Sequence, residues 1–555
     1  MGLKIQFKIP MPSLSYLKSD ARPVPLVTKP FHQEFIDELR LYAKQGRTAF
    51  ISAETNKSIS YAQFLKAYEC VNVYLKSINF SHKDIAGIVS QNCWQIPAIY
   101  MGISSRGGCF SGASPLFTDT ELAQQFNDNG SKVVFCAKSS LETVLKARTK
   151  CPNLTHIVVI DEDVINAQHK ITSFPDILRL IPSRYEEVTA VNPSKDLVML
   201  PYSSGTTGKP KGVMLTHQNL CTVLRGNYDF INTQILYKMD PNWDWSSEKI
   251  LCVLPFYHVY GFGMFWSCVA NGGTAVIMKK FVPELLLKSI QNYRIRFLPA
   301  VPPILVFICG SDMVRKYDLS SLQFIMSAAA PAGKELIEGL KRVMPKLKQV
   351  GQAYGLSESA MLSHCSVFGT DAIGSCGRLV TNFEQKIIDR STNQPVPIRQ
   401  VGEICLRSPS VTIGYWKRPE ATAETIDSEG WLHTGDIGYV DKNGYTYIVD
   451  RVKELIKVKG LQVAPAELED ILLSHDKIKD AAVIGIPHVR LGEAPKAFVV
   501  KSDSMLTAEE VDRYVASKCA PYKRLVGGIE FINEIPKSPT GKILRRILKE
   551  QRPKL

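Results

Sequence analysis

The chain is predicted to be an α/β protein, with a large N-terminal domain of stacked α/β subdomains plus a small β-barrel and a small α+β C-terminal domain. Three observations predict it. Short β-branched runs alternate with amphipathic segments through most of the 555 residues, which argues for layers built on parallel sheet. From about Gly374 the texture changes to short strands separated by glycines. Beyond Asp450, about a hundred residues carry strands and helices of their own.

Taken in order, "FHQEFIDELRLYAKQ" and "YAQFLKAYECVNVYLKS" place apolar residues at helical spacing. "SKVVFC", "THIVVI", "LVMLPYS", "ILCVLP", "TAVIM" and "RFLPAVPP" read as buried strands. Ile250 to Met278 lacks Lys, Arg, Asp and Glu and is long enough to cross a bilayer. Pro255, Gly261, Gly263, Asn271, Gly272 and Gly273 interrupt it, so it reads as strand, loop, short helix and strand. "VGEICLRS", "GWLHTGDIGYV" and "NGYTYIVDRVKELIKVKG" have hairpin texture, giving a barrel-like part over 374–449. "APAELEDILLSH" and "TAEEVDRYVASKC" read as helices and "DAAVIGIP", "APKAFVV" and "GGIEFIN" as strands of the last domain. The expected domains are 1–449 and 450–555, joined by a short hinge near 450–453.

Hydrophobic residues make up 45% and charged residues 22%, the balance of an ordinary globular protein. The 13 cysteines form no CxxC pair and no zinc spacing, so buried thiols in a reducing compartment are expected. The net charge of +14 is spread out, without an aromatic-interleaved basic stripe. A polyphosphate substrate fits this better than a nucleic acid, and no transmembrane segment is expected. The N-terminus lacks a secretory signal, and Gln6 stands where myristoylation wants Ser or Thr. Pro553-Lys554-Leu555 resembles the Ser-Lys-Leu peroxisomal address, so import into the peroxisome through its receptor is expected, with the cytoplasm as alternative.

The densest run of hydroxyls, glycines and lysines is "YSSGTTGKPKGVMLTH", from Tyr202 to His217. Ser203, Ser204, Gly205, Thr206, Thr207 and Lys211 are phosphate-binding candidates. Glycines let N–H groups turn toward an anion, hydroxyls donate to phosphate oxygens, and lysine offsets charge. Thr216 reads as the N-cap of the helix that follows. Pro210 stands five residues after Gly205, which excludes the P-loop spacing GxxxxGK[ST].

Four further segments follow in order: "YGLSES" at 354–359, "GWLHTGD" at 430–436, "DRVKELIKVKGLQVAPAELE" at 450–469 and "PTGKILRR" at 539–546. With the first, they resemble the motifs of the adenylate-forming superfamily. That family includes acyl-CoA synthetases, coumarate:CoA ligases, firefly luciferases and carrier-protein adenylation domains. The resemblance implies ATP-dependent activation of a carboxylic acid as acyl-AMP, with pyrophosphate released, then transfer to CoA. It implies that Ser203–Lys211 holds the β- and γ-phosphates and that Glu358, with Thr206 or Thr207, ligates Mg²⁺. Ser357 would face the α-phosphate. Asp436 would accept from the ribose hydroxyls, near Arg451. Lys542 would bridge carboxylate and α-phosphate.

The resemblance further implies a mobile small domain turning at Lys453. It would present Lys457, Lys459, Gly460 and Gln462 to the CoA thiol. His258 matches a gate between the acyl and thiol channels, with Tyr260 beyond it. Ala328 and Ala329 on one pocket strand, and Gln352, Ala353 and Tyr354 on another, would flank AMP and the acyl group. Alanine replaces the usual glycine at Ala328 and Ala353, and Met264 fills a position that is often small. A typical hydroxycinnamate pocket is therefore not expected, and a fatty, aryl or fatty-acid-derived acid is. The alternatives are a luciferase-like oxygenase, an adenylating enzyme with a non-CoA acceptor, or a nucleotide sensor.

Overall fold

The computed structural model describes residues 16–163, 170–187, 190–203, 210–370, 372–451, 454–458, 461–538 and 541–550. Ser204, Gly205, Thr206, Thr207, Lys453, Lys459, Gly460, the side chain of Gln462 and Pro553-Lys554-Leu555 lie outside the described residues.

Alternation of strand and helix produces parallel sheets. In the first, Leu197–Met199, Cys109–Ala113, Ile85–Val89, Val133–Cys136, His156–Val159 and Ile171–Ser173 lie parallel in that order, with Leu215–Thr216 antiparallel at one edge. In the second, Lys249–Cys252, Thr274–Ile277 and Thr48–Ser52 are parallel, and Ser58–Ser60 closes antiparallel. In the third, Phe297–Ala300, Phe324–Ser327 and Gln349–Gly355 are parallel and continue antiparallel into Leu362–Cys365 and Arg378–Leu379. Strands this buried read as continuous apolar runs, which is how the sequence betrayed them.

The charge-free stretch becomes strand Lys249–Cys252, a loop, helix Val259–Ala270 and strand Thr274–Ile277. The helix is buried on every side, so it needs no polar face. Its Phe262 and Trp266 pack with Phe31, whose ring centroid lies 4.8 Å from that of Trp266. Among the described residues no helix is long and apolar enough to cross a membrane.

The segment from Phe31 was expected as one helix and forms two, Phe31–Glu34 and Ile36–Lys44. Arg225 explains the break. It donates to the Glu34 carbonyl at 2.7 Å and lies over the Phe35 ring, taking that carbonyl from the helix ladder. Thr216 caps His217–Ile231 as expected: its hydroxyl accepts from the Asn219 N–H, and the Asn219 carboxamide accepts from the Thr216 N–H. All 13 cysteines are free, and none is fully exposed.

The glycine-punctuated region forms an antiparallel sheet of Leu17–Lys18, Glu384–Asp389, Gly402–Arg407, Leu432–Val440 and Thr446–Arg451, with Gln394–Pro395 at its side. The last part of the chain builds a separate sheet from Leu461–Val463, Ile456–Val458, Gly492–Lys501, Ile478–His488 and Ile529–Phe531. Pro465–Leu473 and Ala508–Lys518 cover it, and Leu468, Val483, Val499, Val511 and Val515 form a core of their own. The α/β class read from the sequence is the one found.

Gly261 and Gly310 test how tightly the helices seat. A methyl group at Gly261 would lie 2.2 Å from the Pro255 carbonyl oxygen, whereas at Gly310 nothing lies within 4 Å. Gly261→Ala is expected to destabilise by about 1–3 kcal/mol or more. Gly310→Ala, ending an open helix, is expected to be neutral or to stabilise by up to about 1 kcal/mol. Thermal midpoints of the two variants check this; similar shifts would refute it.

Candidate active site

Parallel strands deliver the candidate residues at their carboxyl ends, where open α/β sheets collect ligand sites. Ala300, Ser327 and Gln352 are neighbours in register on adjacent strands. Ala328 and Ala329 follow the second of these strands; Ala353, Tyr354, Ser357 and Glu358 continue the third. Ala329 has φ 75°, a left-handed backbone that costs a non-glycine residue about 1–2 kcal/mol. Gln352 supports this turn, its carboxamide oxygen accepting from the Ala332 N–H at 2.9 Å.

Asp436 is 2% exposed, on strand Leu432–Val440 directly opposite Arg451 of Thr446–Arg451. A buried carboxylate must be paired and hydrogen-bonded. Here Arg451 Nε donates to Oδ1 at 2.9 Å, and Tyr354 Oη donates to Oδ2 at 2.6 Å. The Asp436 charge holds the Arg451 guanidinium above its ordinary pKa, and burial raises the Tyr354 hydroxyl well above its own. Three predicted residues thus meet in one charge-assisted unit.

Glu358 accepts from Tyr415 Oη at 2.9 Å, and its carbonyl accepts from the Thr412 N–H at 2.8 Å. Lys211 Nζ lies 5.0 Å from the centre of the Tyr415 ring. Lys211 is in turn paired with Ser203 in a two-stranded ladder that brackets residues 204–209. Tyr415 was not singled out from the sequence. It sits in "GYWKRPEAT", whose glycine and aromatic pair resemble any turn.

Lys542 arrives from the C-terminal part. A methyl group at Gly541, which has φ 80°, would lie 3.0 Å from Pro303, so this turn is seated against the end of strand Phe297–Ala300. Burial and the nearby Arg451 push the Lys542 ammonium below the ordinary lysine pKa, opposed by Asp436, Glu358 and Glu454. Three residues on, Arg545 donates to Glu454 at 2.7 Å and to both Glu469 oxygens at 2.7 and 2.8 Å. Asp450, buried beside this network, is raised to about 7, chiefly by burial. Arg545 belongs to a quoted motif but reads as part of a basic tail. Lys457 is not brought in: it is exposed, and its N–H donates to Glu493.

His258 stands at the N-cap of Val259–Ala270. Its Nδ1 is buried without a hydrogen-bond partner among the described residues. Burial, aided by Lys542, lowers its pKa to about 3, so it is neutral at pH 7. Tyr260 Oη donates to the Met326 carbonyl at 2.9 Å, tying the helix to the third sheet. Met264, Ala328 and Ala353 are buried. Met361 was missed: a methyl group at Gly263 would lie 2.1 Å from its sulfur, so its thioether covers that face of the helix.

The family model described as AMP-binding enzyme matches residues 38–416, and that of the AMP-binding enzyme C-terminal domain matches 467–542. The chain is 38% identical to 4-coumarate-CoA ligase 1 of Narcissus pseudonarcissus, over 94% of this chain and 93% of that protein. It is 35% identical to the peroxisomal OPC-8:0-CoA ligase 1 of Arabidopsis thaliana, over 97% and 96%. Among solved structures, the anthranilate CoA ligase AuaEII in complex with anthranoyl-AMP superposes with a TM-score of 0.85 at 25% identity, covering 95% of this chain and 98% of that one.

Burial also lowers His217 to about 3 and His364 to about 4. Unfolded histidines take up a proton near pH 6.5 that these three refuse until about pH 3 to 4, so their contribution to stability is fully present above about pH 6.5 and is lost progressively as pH falls from there to about 3 to 4. His258→Gln is expected to flatten the fall of the thermal midpoint between pH 6.5 and 4.5; an unchanged slope would show that His258 is not held neutral.

Proposed function

The chain belongs to the AMP-binding enzyme family, the adenylate-forming acyl-CoA synthetases, and from that membership we propose that it joins a hydrophobic carboxylic acid to CoA through an acyl-AMP. The observation that carries this reading is the convergence of Lys542, Arg451, Asp436 and Glu358 from separate segments on one site.

In the first step a carboxylate oxygen attacks the α-phosphorus of ATP, and the bond to pyrophosphate breaks. Two anions must approach, so a cation has to face the charge that develops. Lys542 takes that role in this reading. Asp436, oriented by Tyr354 and Arg451, accepts from the ribose hydroxyls; Ala329, Gln352 and Ala353 flank the nucleotide. Ser203 and Lys211, with residues 204–207, hold the β- and γ-phosphates, and Ser357 faces the α-phosphate.

Magnesium suits this donor set. Tyr415 engages Glu358 Oε1, leaving Oε2 as a hard oxygen ligand. Magnesium would be held there by the Glu358 carboxylate together with phosphate oxygens and water. When bound, it supplies charge neutralisation at the phosphates; Thr206 is the other proposed ligand.

In the second step a CoA thiolate attacks the acyl carbon, and its bond to AMP breaks. Lys457, Lys459, Gly460 and Gln462 are the proposed thiol-side residues. The exposed Lys457 supports a rotation near 450–453, about Lys453, between the two steps. His258, neutral at pH 7, is the proposed gate. The engaged Tyr260 hydroxyl and the buried Met264, Ala328 and Ala353 support an apolar acid. The likeness to a ligase named as peroxisomal supports the peroxisome as the proposed location.

Pyrophosphate release over fatty acids, cinnamates, benzoates and functionalised side-chain acids, with and without CoA, tests the reaction. CoA-dependent thioester formation is expected; oxygen uptake with a luciferin adenylate in its place would favour the oxygenase. Lys542→Ala is expected to slow adenylation by about 10²–10³ while sparing thioester formation from supplied acyl-AMP. Lys457→Ala is expected to do the reverse. Equal loss of both steps in both variants would sink the rotation.

A further inference from the structure

Asp128 lies in the last turn of helix Asp119–Asn129, outside every quoted motif. Its side chain is 19% exposed, and both carboxylate oxygens are engaged. Oδ2 accepts from Tyr202 Oη at 2.7 Å, and Oδ1 from Arg418 Nη2 at 2.9 Å. The carbonyl of the same residue accepts from Trp416 Nε1 at 3.0 Å and Lys417 Nζ at 2.6 Å. Donors from two distant segments therefore converge on one residue of a third. Lys417 adopts φ 53°, and this turn lets three consecutive side chains reach Asp128.

Both segments lead into the site. Tyr202 immediately precedes Ser203, and Tyr202 and Ser203 pair with Gly212 and Lys211. Tyr415 immediately precedes Trp416; it donates to Glu358 and lies beneath the Lys211 ammonium. The Trp416 N–H donates to the Gly212 carbonyl at 2.8 Å, joining the two segments a second time. Asp128 touches neither Lys211 nor Glu358 in these contacts, yet it fixes the segments that bear them.

We propose that Asp128 is a positioning residue for the pyrophosphate end of MgATP, keeping Lys211 and Glu358 at a fixed separation. The inference rests on the adenylate-forming reading of this site. A carboxylate can serve Tyr202 and Arg418 at once, one on each oxygen. An amide carries no charge and a single acceptor oxygen, so Asp128→Asn weakens the bond to Arg418 and obliges Tyr202 either to let go or to accept from the amide NH2. AMP lacks the phosphates concerned, and its proposed holders, Asp436 and Tyr354, have no bond to Asp128.

Calorimetric binding of MgATP and of AMP to the full chain, without acid or CoA, tests this. Asp128→Asn is expected to weaken MgATP about tenfold, the range for a charge-assisted hydrogen bond, and to leave AMP within about twofold. Asp128→Glu should recover part of the loss. Tyr202→Phe should act in the same direction, and the double variant Asp128→Asn/Tyr202→Phe should be no weaker than Asp128→Asn alone. Equal weakening of both nucleotides, unchanged MgATP affinity, or additive losses would each overturn the proposal. Should Asp128→Asn not fold, Tyr202→Phe, which removes one hydroxyl, carries the same comparison. Nucleotide binding by a wild-type chain that releases no pyrophosphate with any acid would instead refute the ligase reading and leave this one standing or falling on its own data.

Discussion

The buried carboxylate of Asp436 is the constraint on which the site depends. A charge in that position is tolerable only with partners, and its partners come from two different sheets: Tyr354 from the mixed sheet and Arg451 from the antiparallel one. The pairing therefore fixes the antiparallel sheet against the parallel strand ends. Arg451 is also the last residue of strand Thr446–Arg451, so the same bond anchors the end of the antiparallel sheet that leads toward the C-terminal part. Removing either partner would leave a buried charge short of a donor, which costs more than the bond itself contributes.

Around that anchor the charges are balanced, not simply accumulated. Lys542 sits near one cation, Arg451, and three acids, and burial weighs against its ammonium. An anion entering beside it would favour the charged form, so nucleotide binding and the docking of the turn at Gly541 reinforce one another. Arg545 contributes on the far side of the same turn. Held by Glu454 and Glu469, it links the tail helix to the segment just after residue 453 and to helix Pro465–Leu473. The turn that bears Lys542 is thereby tied to the rest of the last domain.

Local chemistry was legible and distant chemistry was not. Thr216 could be read as a cap because its partner is three residues away, and the charge-free strand–helix–strand could be read because glycines and prolines punctuate it. The break at Phe35 could not, since it is imposed by Arg225, far along the chain. Tyr415 and Asp128 escaped for the same reason: a tyrosine in a turn and an aspartate at a helix end carry no local mark of what they hold. Arg545 was visible in its motif but looked like one more basic tail residue, because its acids lie 76 and 91 positions earlier. The motifs named the reaction, while the contacts that tension its parts are tertiary.

The contact between Met361 and Gly263 bears on how this part of the core can diverge. The thioether occupies the space that any side chain at 263 would need. A mutation at 263 is therefore blocked while Met361 stands, and trimming Met361 alone opens a void where a buried residue had been. Neither step is neutral without the other. Divergence at this contact is thus epistatic, and descendants should carry changes at the two positions as a correlated pair.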